Sequence, residues 1–287
     1  INVYIIKIPI IINVRAIIPY HFKPINNMKG NKMQICDSSI AVFDSGVGGI
    51  SVLRELAKEL PNENFIYFGD SAHAPYGTKT ARYVRELAMS NVQTLLNMGA
   101  KAVVIACNTA TSVAITTLRD TWPNIPIVGM EPAVKPAALH AGSHQVLVMA
   151  TPMTLRRRKF QKLMRLYGGN AKLIPLPCPG LVELIEAGEI KGDIINNYLS
   201  NLLSPYINPS LDSVVLGCTH YPFVVDTIKE ILGKNTVVFD GIIGTAKETH
   251  RRLSSMSLLS KRTGKGDIQI FNSLPQKISL CKKLFEL

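Results

Sequence analysis

"AVVIACNTAT", from Ala102 to Thr111, joins a continuous apolar run to a cysteine and a group of small polar residues. The stretch "SVVLGCTHYP", from Ser213 to Pro222, has the same design, with Cys218 in the position of Cys107. Apolar runs without alternation are typical of parallel strands that are covered on both faces. The two stretches therefore predict two equivalent buried strands, each followed by a cysteine, and they raise the question whether the two thiols act together.

Further apolar runs recur from Ile40 onward, and segments with helical periodicity separate them. With the two stretches above, the predicted strands are Ile40–Asp44, Asn64–Asp70, Ala102–Asn108, Gln145–Thr151, Ser213–Thr219 and Thr236–Asp240. The predicted helices include Ser51–Leu60, Ala81–Gly99 and Leu181–Leu203. This alternation predicts an α/β fold with mostly parallel sheets.

Length and cysteine content exclude several classes of protein. A chain of 287 residues is long enough for two packed domains. No stretch approaches about 18 uninterrupted apolar residues, so a membrane span is not expected. The five cysteines are odd in number and widely spread, without a CxxC or an HxxxH spacing. We therefore expect neither a disulfide framework nor a metal site, and a reducing compartment fits best.

The net charge of +12 is concentrated at the two ends of the chain. Residues 1–33 contain five basic residues and no acidic residue, and residues 247–287 contain nine basic residues and three acidic ones. The body between them is close to neutral, so nucleic acid is not the expected partner. A regulator whose basic ends bind a polyanion remains a minor alternative, which the salt dependence of binding would test.

The first 33 residues form a segment rich in Ile, Asn and Lys that does not read as a signal peptide, because charges interrupt its apolar runs. We expect residues 1–33 to be a non-native or disordered extension that precedes a true start at Met28 or Met33. A real but disordered arm, or a segment that lies at a membrane surface, is the alternative.

Small polar residues end each predicted strand. In parallel sheets the reactive groups lie at the carboxyl ends of the strands. Taken alone, Cys107 and Cys218 would more often be buried apolar residues than catalysts, but Asp44 and His220 are candidate bases close to them. If the segment after Cys218 stays extended, the side chains of Cys218 and His220 lean toward one face. The glycines of "FDSGVGGIS" fit a tight turn and an anion-binding loop equally well.

Five motifs in order resemble the glutamate racemases of the cofactor-independent aspartate/glutamate racemase superfamily. They are "AVFDSGVGGISVLREL", "YFGDSAHAPYG", "ACNTAT", "VGMEPAVKPA" and "LGCTHYPF", and the likeness runs from about Ile40 to about Leu253. The resemblance implies two α/β domains related by a pseudo-twofold axis, with the active-site cleft between them. The expected division is residues 34–131 plus 241–287 for the first domain and 132–240 for the second.

The resemblance also implies the chemistry: proton transfer at the α-carbon of glutamate between two cysteines, without cofactor or metal. Inversion of a stereocentre needs removal of a proton on one side and delivery on the other. Cys107 is expected to serve D-glutamate and Cys218 L-glutamate, with Asp44 assisting Cys107, and His220 and Glu186 assisting Cys218. The substrate-binding residues that the resemblance implies are Asp44, Ser45, Tyr76, Gly77, Asn108, Thr109, Thr151, Thr219 and His220.

Several points stay open. Another racemase of the superfamily, such as an aspartate racemase, is the main alternative, because specificity depends on the depth of the pocket. The segment "ATPMTLRRRKF" departs from the family pattern at Met153, which weakens the assignment of Thr151 and of Thr154. Its basic run is expected to form a solvated helix face. The resemblance implies a cytoplasmic enzyme that supplies D-glutamate for peptidoglycan, and it leaves a homodimer open.

Overall fold

The computed structural model describes residues 36–141, 144–169 and 171–287 of the chain. The expected extension, residues 1–33, lies outside the described residues. The strands are β1 (Ile40–Asp44), β2 (Phe65–Gly69), β3 (Ala102–Ile105), β4 (Ile127–Gly129), β5 (Gln145–Ala150), β6 (Lys172–Pro177), β7 (Leu211–Leu216), β8 (Val237–Asp240) and β9 (Ile268–Asn272).

The α-helices alternate with these strands. They are α1 (Ile50–Glu59), α2 (Ala81–Asn97), α3 (Asn108–Thr121), α4 (Val134–Ala141), α5 (Pro152–Arg156), α6 (Arg158–Tyr167), α7 (Leu181–Ala187), α8 (Asp193–Leu203), α9 (Val225–Leu232), α10 (Ile242–Ser255) and α11 (Ile278–Glu286). Short 3₁₀ turns follow β2 at Ser71–His73 and Tyr76–Thr78, and another follows β7 at Tyr221–Val224.

The strands form two sheets with the same internal order. The first has five strands in the order β4-β3-β1-β2-β9, and the second has four in the order β6-β5-β7-β8. All the recorded pairings are parallel. From β2 to β4 in the first sheet, and from β6 to β8 in the second, the spatial order is the second, first, third and fourth strand of that sheet along the chain. β9 is added beside β2. β3 and β7 therefore occupy equivalent places in the two sheets. The α/β fold with parallel sheets is confirmed, and β9 joins the first sheet from the carboxyl-terminal part of the chain.

Each sheet is covered on both faces, which explains the continuous apolar runs. In the first sheet, Ala41 and Phe43 of β1 face the helices α2 and α3, while Ile40 and Val42 face α1 and its neighbours. In the second sheet, one face packs against α4 and α6, and the other packs against α7, α8 and α9. One of the three apolar clusters contains residues of both sheets, so the two halves share a core.

Two local predictions were wrong. The predicted helix Leu181–Leu203 is two helices, α7 and α8, because Gly188 and Gly192 adopt φ values of 93° and 99° that other residues rarely adopt. The basic run of four residues from Arg156 is not one helix face. Arg156 ends α5, Arg157 is extended, and α6 begins at Arg158.

Candidate active site

The carboxyl edges of the two sheets face a shared cavity with about 260 Å³ of empty space. Cys107 follows β3, and Cys218 follows β7, so the cysteines come from equivalent strands of the two sheets. Both thiols are buried and free. The residues that line the cavity are Ser45, Pro75, Tyr76, Gly77, Cys107, Asn108, Thr109, Thr151, Val182, Cys218, Thr219 and His220.

Ten of the twelve predicted site residues are in this lining, and the other two, Asp44 and Glu186, lie directly behind it. Asp44 contacts Thr219, and Glu186 contacts His220. The sequence did not point to Pro75 and Val182. Pro75 precedes Tyr76 within a quoted motif, but Val182 is an ordinary apolar residue of α7 that nothing in the sequence marks as a site residue.

Cys107 caps the amino terminus of α3. Its Sγ accepts the backbone N–H of Ala110 at 3.4 Å, and its thiol donates to Ser45 Oγ at 3.4 Å. Burial and the nearby Asp44 carboxylate raise the pKa of Cys107 to about 12, against the opposing effect of these hydrogen bonds. At neutral pH Cys107 is therefore a thiol, which can deliver a proton.

Cys218 belongs to a buried chain of polar groups. Its Sγ lies 3.7 Å from Nδ1 of His220, whose Nε2 lies 2.7 Å from Oε1 of Glu186. Burial alone would lower the pKa of His220, but the contacts with Cys218 and Glu186 raise it well above its usual value. Burial alone would raise the pKa of Glu186, yet the hydrogen bond from His220 holds it below its usual value. The pair is therefore an imidazolium and a carboxylate, with an N–H directed at the sulfur of Cys218.

The expected contact between Cys218 and His220 is present, but the geometry that we expected for it is wrong. His220 has helical dihedral angles, with φ −76° and ψ −34°, and it precedes the 3₁₀ turn Tyr221–Val224. A turn therefore brings the imidazole back to the sulfur, whereas the prediction assumed an extended segment.

Glu186 connects the two halves of the molecule. It lies on α7, beside the second sheet, and its Oε1 accepts the N–H of Val47 at 2.6 Å in the loop between β1 and α1. Its Oε2 accepts the hydroxyl of Ser71 at 2.9 Å, after β2. A carboxylate with three hydrogen-bond donors around it is firmly oriented, and it holds His220 in place.

The glycines of the loop after β1 allow this close approach. A Cβ at Gly46 would collide with Oε1 of Glu186, and a Cβ at Gly48 would collide with the His220 ring. Of the two roles that the sequence left open for these glycines, the structure supports close packing against the site. The loop N–H groups at Gly46 and Val47 bind protein carboxylates, namely Asp44 at 3.0 Å and Glu186.

Asp44 is completely buried behind Ser45. One carboxylate oxygen accepts the N–H of Gly46, and the other accepts the hydroxyl of Thr219 at 3.0 Å. Burial raises the pKa of Asp44 to about 6, although the nearby His220 and these two hydrogen bonds lower it. Asp44 is therefore an anion at neutral pH that is held at a cost in folding free energy.

Hydroxyl and amide groups form the wall between the two thiols. Thr109 Oγ1 lies 3.0 Å from Thr151 Oγ1 and 3.2 Å from Thr154 Oγ1, so hydroxyls of α3 and of the second half meet here. Asn108 is buried, and neither its Nδ2 nor its Oδ1 has a hydrogen-bond partner among the residues that the structure describes. A buried amide without partners costs free energy unless a ligand binds it. No lysine or arginine is among the residues that line the cavity, so a bound carboxylate would depend on hydroxyl and N–H donors.

Tyr76 contacts a polar network that the sequence analysis did not assign. Its hydroxyl donates to Asp70 Oδ2 at 2.7 Å, and Asn91 and His73 also contact this carboxylate. Burial alone would raise the pKa of Asp70, but hydrogen bonds from His73 and Tyr76 lower it. Because the Tyr76 hydroxyl proton is already used, the backbone N–H is the hydrogen-bond donor that Tyr76 can offer the cavity.

Three further findings concern metal ligands, membrane spans and Asp240. In residues 36–141, 144–169 and 171–287, no group of three or more His, Cys, Asp or Glu side chains is arranged to hold a metal ion. The helices of the described part of the chain are too short or too polar to cross a membrane. Asp240 accepts the N–H of Ile242, the first residue of α10, at 2.9 Å, which is a structural contact outside the cavity lining.

The two sheets have equivalent strand orders, each has a buried cysteine after its third strand, and hydroxyl groups line the cavity that the cysteines share. This is the arrangement that the resemblance to the amino-acid racemases implies. The chain belongs to the Asp/Glu/Hydantoin racemase family, whose model matches residues 42–249. The resemblance drawn from the motifs is thereby confirmed.

Individual relatives agree with this assignment. The chain is 50% identical over 253 residues to a glutamate racemase of Clostridium perfringens, covering 88% of this chain and 97% of the relative. It is 51% identical over 255 residues to a glutamate racemase of Clostridium novyi, covering 88% of this chain and 98% of that relative.

Solved structures agree as well. The crystal structure of glutamate racemase from Francisella tularensis in complex with D-glutamate matches with a TM-score of 0.75 at 29% identity, over 88% of this chain and 95% of that one. The Escherichia coli glutamate racemase, in complex with L-glutamate and an activator, also matches with a TM-score of 0.75 at 29% identity, over 86% and 95%.

Proposed function

We propose that this protein interconverts L- and D-glutamate by proton transfer at the α-carbon between Cys218 and Cys107. The observation that carries the proposal is the pair of free, buried cysteines that line one cavity from equivalent strands of the two sheets. The identity of about half the residues to glutamate racemases over most of the chain supports glutamate as the substrate.

In the direction from L to D, Cys218 reacts as a thiolate that the N–H of the His220 imidazolium stabilises, and this thiolate removes the α-proton of L-glutamate. The Cys107 thiol then gives its proton to the opposite face of the carbanion, which becomes D-glutamate. Cys107 is left as thiolate and Cys218 as thiol, so exchange of protons with water restores the first state, or the reverse reaction runs. The high pKa of Cys107 suits its role as the proton donor in this direction.

The remaining polar groups of the site bind the substrate and stabilise the charge that develops at its α-carbon. Asp44 interacts with the substrate ammonium, which stays protonated and withdraws electrons from the α-carbon. The carboxylates of glutamate bind to donors from Ser45, Asn108, Thr109, Thr151 and Thr219, and to the backbone N–H groups of Tyr76 and Gly77. Binding without a cation in the lining leaves the basicity of the thiolate intact.

The biological setting is proposed on the family resemblance. We propose that the protein supplies D-glutamate for peptidoglycan in the cytoplasm. We also propose the domain division 34–131 plus 241–287 and 132–240. This division is supported by the two sheets, because β1–β4 with β9 form one sheet and β5–β8 form the other.

The proposal is tested by incorporation of solvent deuterium at the α-carbon, measured by mass spectrometry after chiral separation. We expect the unmodified protein to exchange and invert glutamate. We expect both Cys107→Ser and Cys218→Ser to lose inversion. We expect Cys107→Ser to reduce deuterium exchange mainly of D-glutamate, and Cys218→Ser to reduce exchange mainly of L-glutamate. Cys178→Ser is the matched control, because Cys178 is a buried free cysteine outside the cavity lining.

Two results would count against the proposal. If the unmodified protein inverts aspartate but not glutamate, the substrate is wrong and the two-thiol mechanism stands. If Cys107→Ser and Cys218→Ser damage exchange of both enantiomers equally, the assignment of one cysteine to each face is wrong.

A further inference from the structure

A second cavity lies next to the substrate cavity and shares one residue with it. It contains about 690 Å³ of empty space and is lined by Asn108, Thr111, Ser112, Met130, Glu131, Pro132, Thr154, Phe160, Lys162, Leu163 and Leu166. The lining comes from α3 of the first half, the segment after β4, and α5 and α6 of the second half. A molecule bound here would contact both halves.

Asn108 is the shared residue, and the substrate can form a hydrogen bond with only one of the two polar atoms of its side-chain amide. The side chain is 4% exposed, and within the described ranges of the chain neither its Nδ2 nor its Oδ1 has a hydrogen-bond partner. A carboxylate has no proton, so a substrate carboxylate can accept a hydrogen bond from Nδ2 but offers nothing to Oδ1. The substrate ammonium is assigned to Asp44. The amide oxygen therefore needs a donor from elsewhere, and the second cavity is where a further molecule would bring one.

The other polar groups of the second cavity define the rest of the ligand. The hydroxyls of Thr111 and Ser112 already donate to backbone carbonyls at 3.1 and 2.8 Å. Lys162 is exposed and has no ion-pair partner in the part of the chain that the structure describes. The walls beside it are apolar, with Met130, Phe160 and Leu163.

The charge around this cavity favours an anion. From residue 132 to residue 182 the sequence contains no Asp or Glu and eight Lys or Arg residues. Four of these basic residues, Arg158, Lys159, Lys162 and Arg165, are on α6, which also carries the apolar wall residues Phe160 and Leu163. Glu131 is the single acidic residue of the lining, and it lies at the exposed rim. A ligand carboxylate is thus attracted to the α6 side of the cavity.

We propose that the second cavity is an effector site for a heteroaromatic carboxylic acid with one ring N–H. The ring packs against Met130, Phe160 and Leu163, the N–H donates to Oδ1 of Asn108, and the carboxylate binds Lys162. A bound effector fixes the Asn108 amide with its N–H₂ group toward the substrate cavity. The coupling to catalysis rests on the proposed glutamate racemase function, whereas the binding itself does not.

The probe is indole-3-acetate, and its binding is measured by calorimetry without glutamate. We expect saturable binding with one site. 1-Benzothiophene-3-acetate has the same shape and charge but no N–H, so we expect it to bind about tenfold more weakly. We expect Leu163→Trp, which fills the cavity, to weaken indole-3-acetate at least about tenfold, and Lys162→Met to weaken it about fivefold. Arg165→Met removes a neighbouring exposed cation of α6 and is the matched control, with unchanged binding.

The kinetic test uses the coupling between the sites. With indole-3-acetate bound, we expect the KM for glutamate to fall about fivefold, and saturating glutamate to tighten indole-3-acetate by the same factor. Any of four results overturns the proposal: no saturable binding, full competition with glutamate, equal binding by Leu163→Trp, or equal binding of the benzothiophene analogue. If glutamate is not racemised but the calorimetric pattern holds, the proposed function fails and the site stands.

Discussion

Asp44→Asn is expected to make the protein more stable at neutral pH while it removes most of the activity. Burial raises the pKa of Asp44 from 3.8 to about 6, despite the opposing His220 and the hydrogen bonds from Gly46 and Thr219. Because the pKa is higher in the folded state, the folded protein binds this proton more tightly than the unfolded chain does. That stabilising contribution is fully present below about pH 3.8 and is lost as the pH rises through about 6.

The magnitude follows from the shift. A difference of about 2 pKa units, at 1.36 kcal/mol per unit, corresponds to about 3 kcal/mol of folding free energy that the ionised Asp44 costs near pH 7. The asparagine amide has the same shape and no charge. Its oxygen can accept the Gly46 N–H, and its N–H₂ can donate to the Thr219 hydroxyl, so both hydrogen bonds persist. We therefore expect Asp44→Asn to raise the free energy of unfolding by up to about 3 kcal/mol.

Thermal unfolding measures this gain, with Trp122 as the single tryptophan reporter. For a chain of this size, about 3 kcal/mol corresponds to a rise in Tm of roughly 6–12 °C near neutral pH. The gain should shrink as the pH falls below about 6 and vanish near about pH 4. Asp120→Asn, on the exposed face of α3, is the matched control and should leave Tm unchanged. A lower Tm for Asp44→Asn at neutral pH, or a gain that is independent of pH, would refute the reasoning.

Two further substitutions test the packing and the charges around Glu186. Gly46→Ala places a Cβ against the Glu186 carboxylate and should destabilise the protein by about 1–3 kcal/mol and reduce kcat, measured by urea unfolding and racemisation assays. Gly244→Ala is its control, since a Cβ there meets no atom within 4 Å and should be neutral or slightly stabilising. Glu186→Gln removes a group that raises the pKa of His220, so the limb of the pH profile of kcat/KM that depends on His220 should move to lower pH. An unmoved profile would mean that the Glu186 charge does not act through His220.

The sequence alone predicted the five strands that lie inside the sheets and the edge strand β8, and it missed the edge strands β4, β6 and β9. β4 is only three residues long, and β6, "KLIPLP", contains two prolines and lies at the edge of its sheet. Edge strands are defined by the neighbour they pair with, and their own composition is a weak signal. β9 pairs with β2 although some 200 residues separate them, and no local pattern encodes such a pairing.

The motifs predicted which residues form the candidate site, but they did not predict the hydrogen bonds that hold these residues in place. The cysteines and the hydroxyl residues lie within short segments that the resemblance covers. The bonds that hold them cross from one half to the other: Glu186 binds Val47, 139 residues away, and Thr219 binds Asp44, 175 residues away. Such contacts depend on how two sheets face each other, which spacing along one chain does not determine.

These crossing bonds explain how the site holds charges at a cost in stability. The two thiols belong to different halves, so the distance across which a proton moves is fixed by contacts between the halves and by neither half alone. Asp44 in the first half and Glu186 in the second are both buried as anions, and each accepts hydrogen bonds from the other half. The bonds that offset the desolvation of the two carboxylates are thus the same bonds that set the separation of the cysteines. A substitution that removes the charge of Asp44 stabilises the protein, because it keeps these hydrogen bonds and removes only the anion. A substitution that breaks the hydrogen bonds of Glu186 instead changes the distance between the two cysteines, on which the chemistry depends.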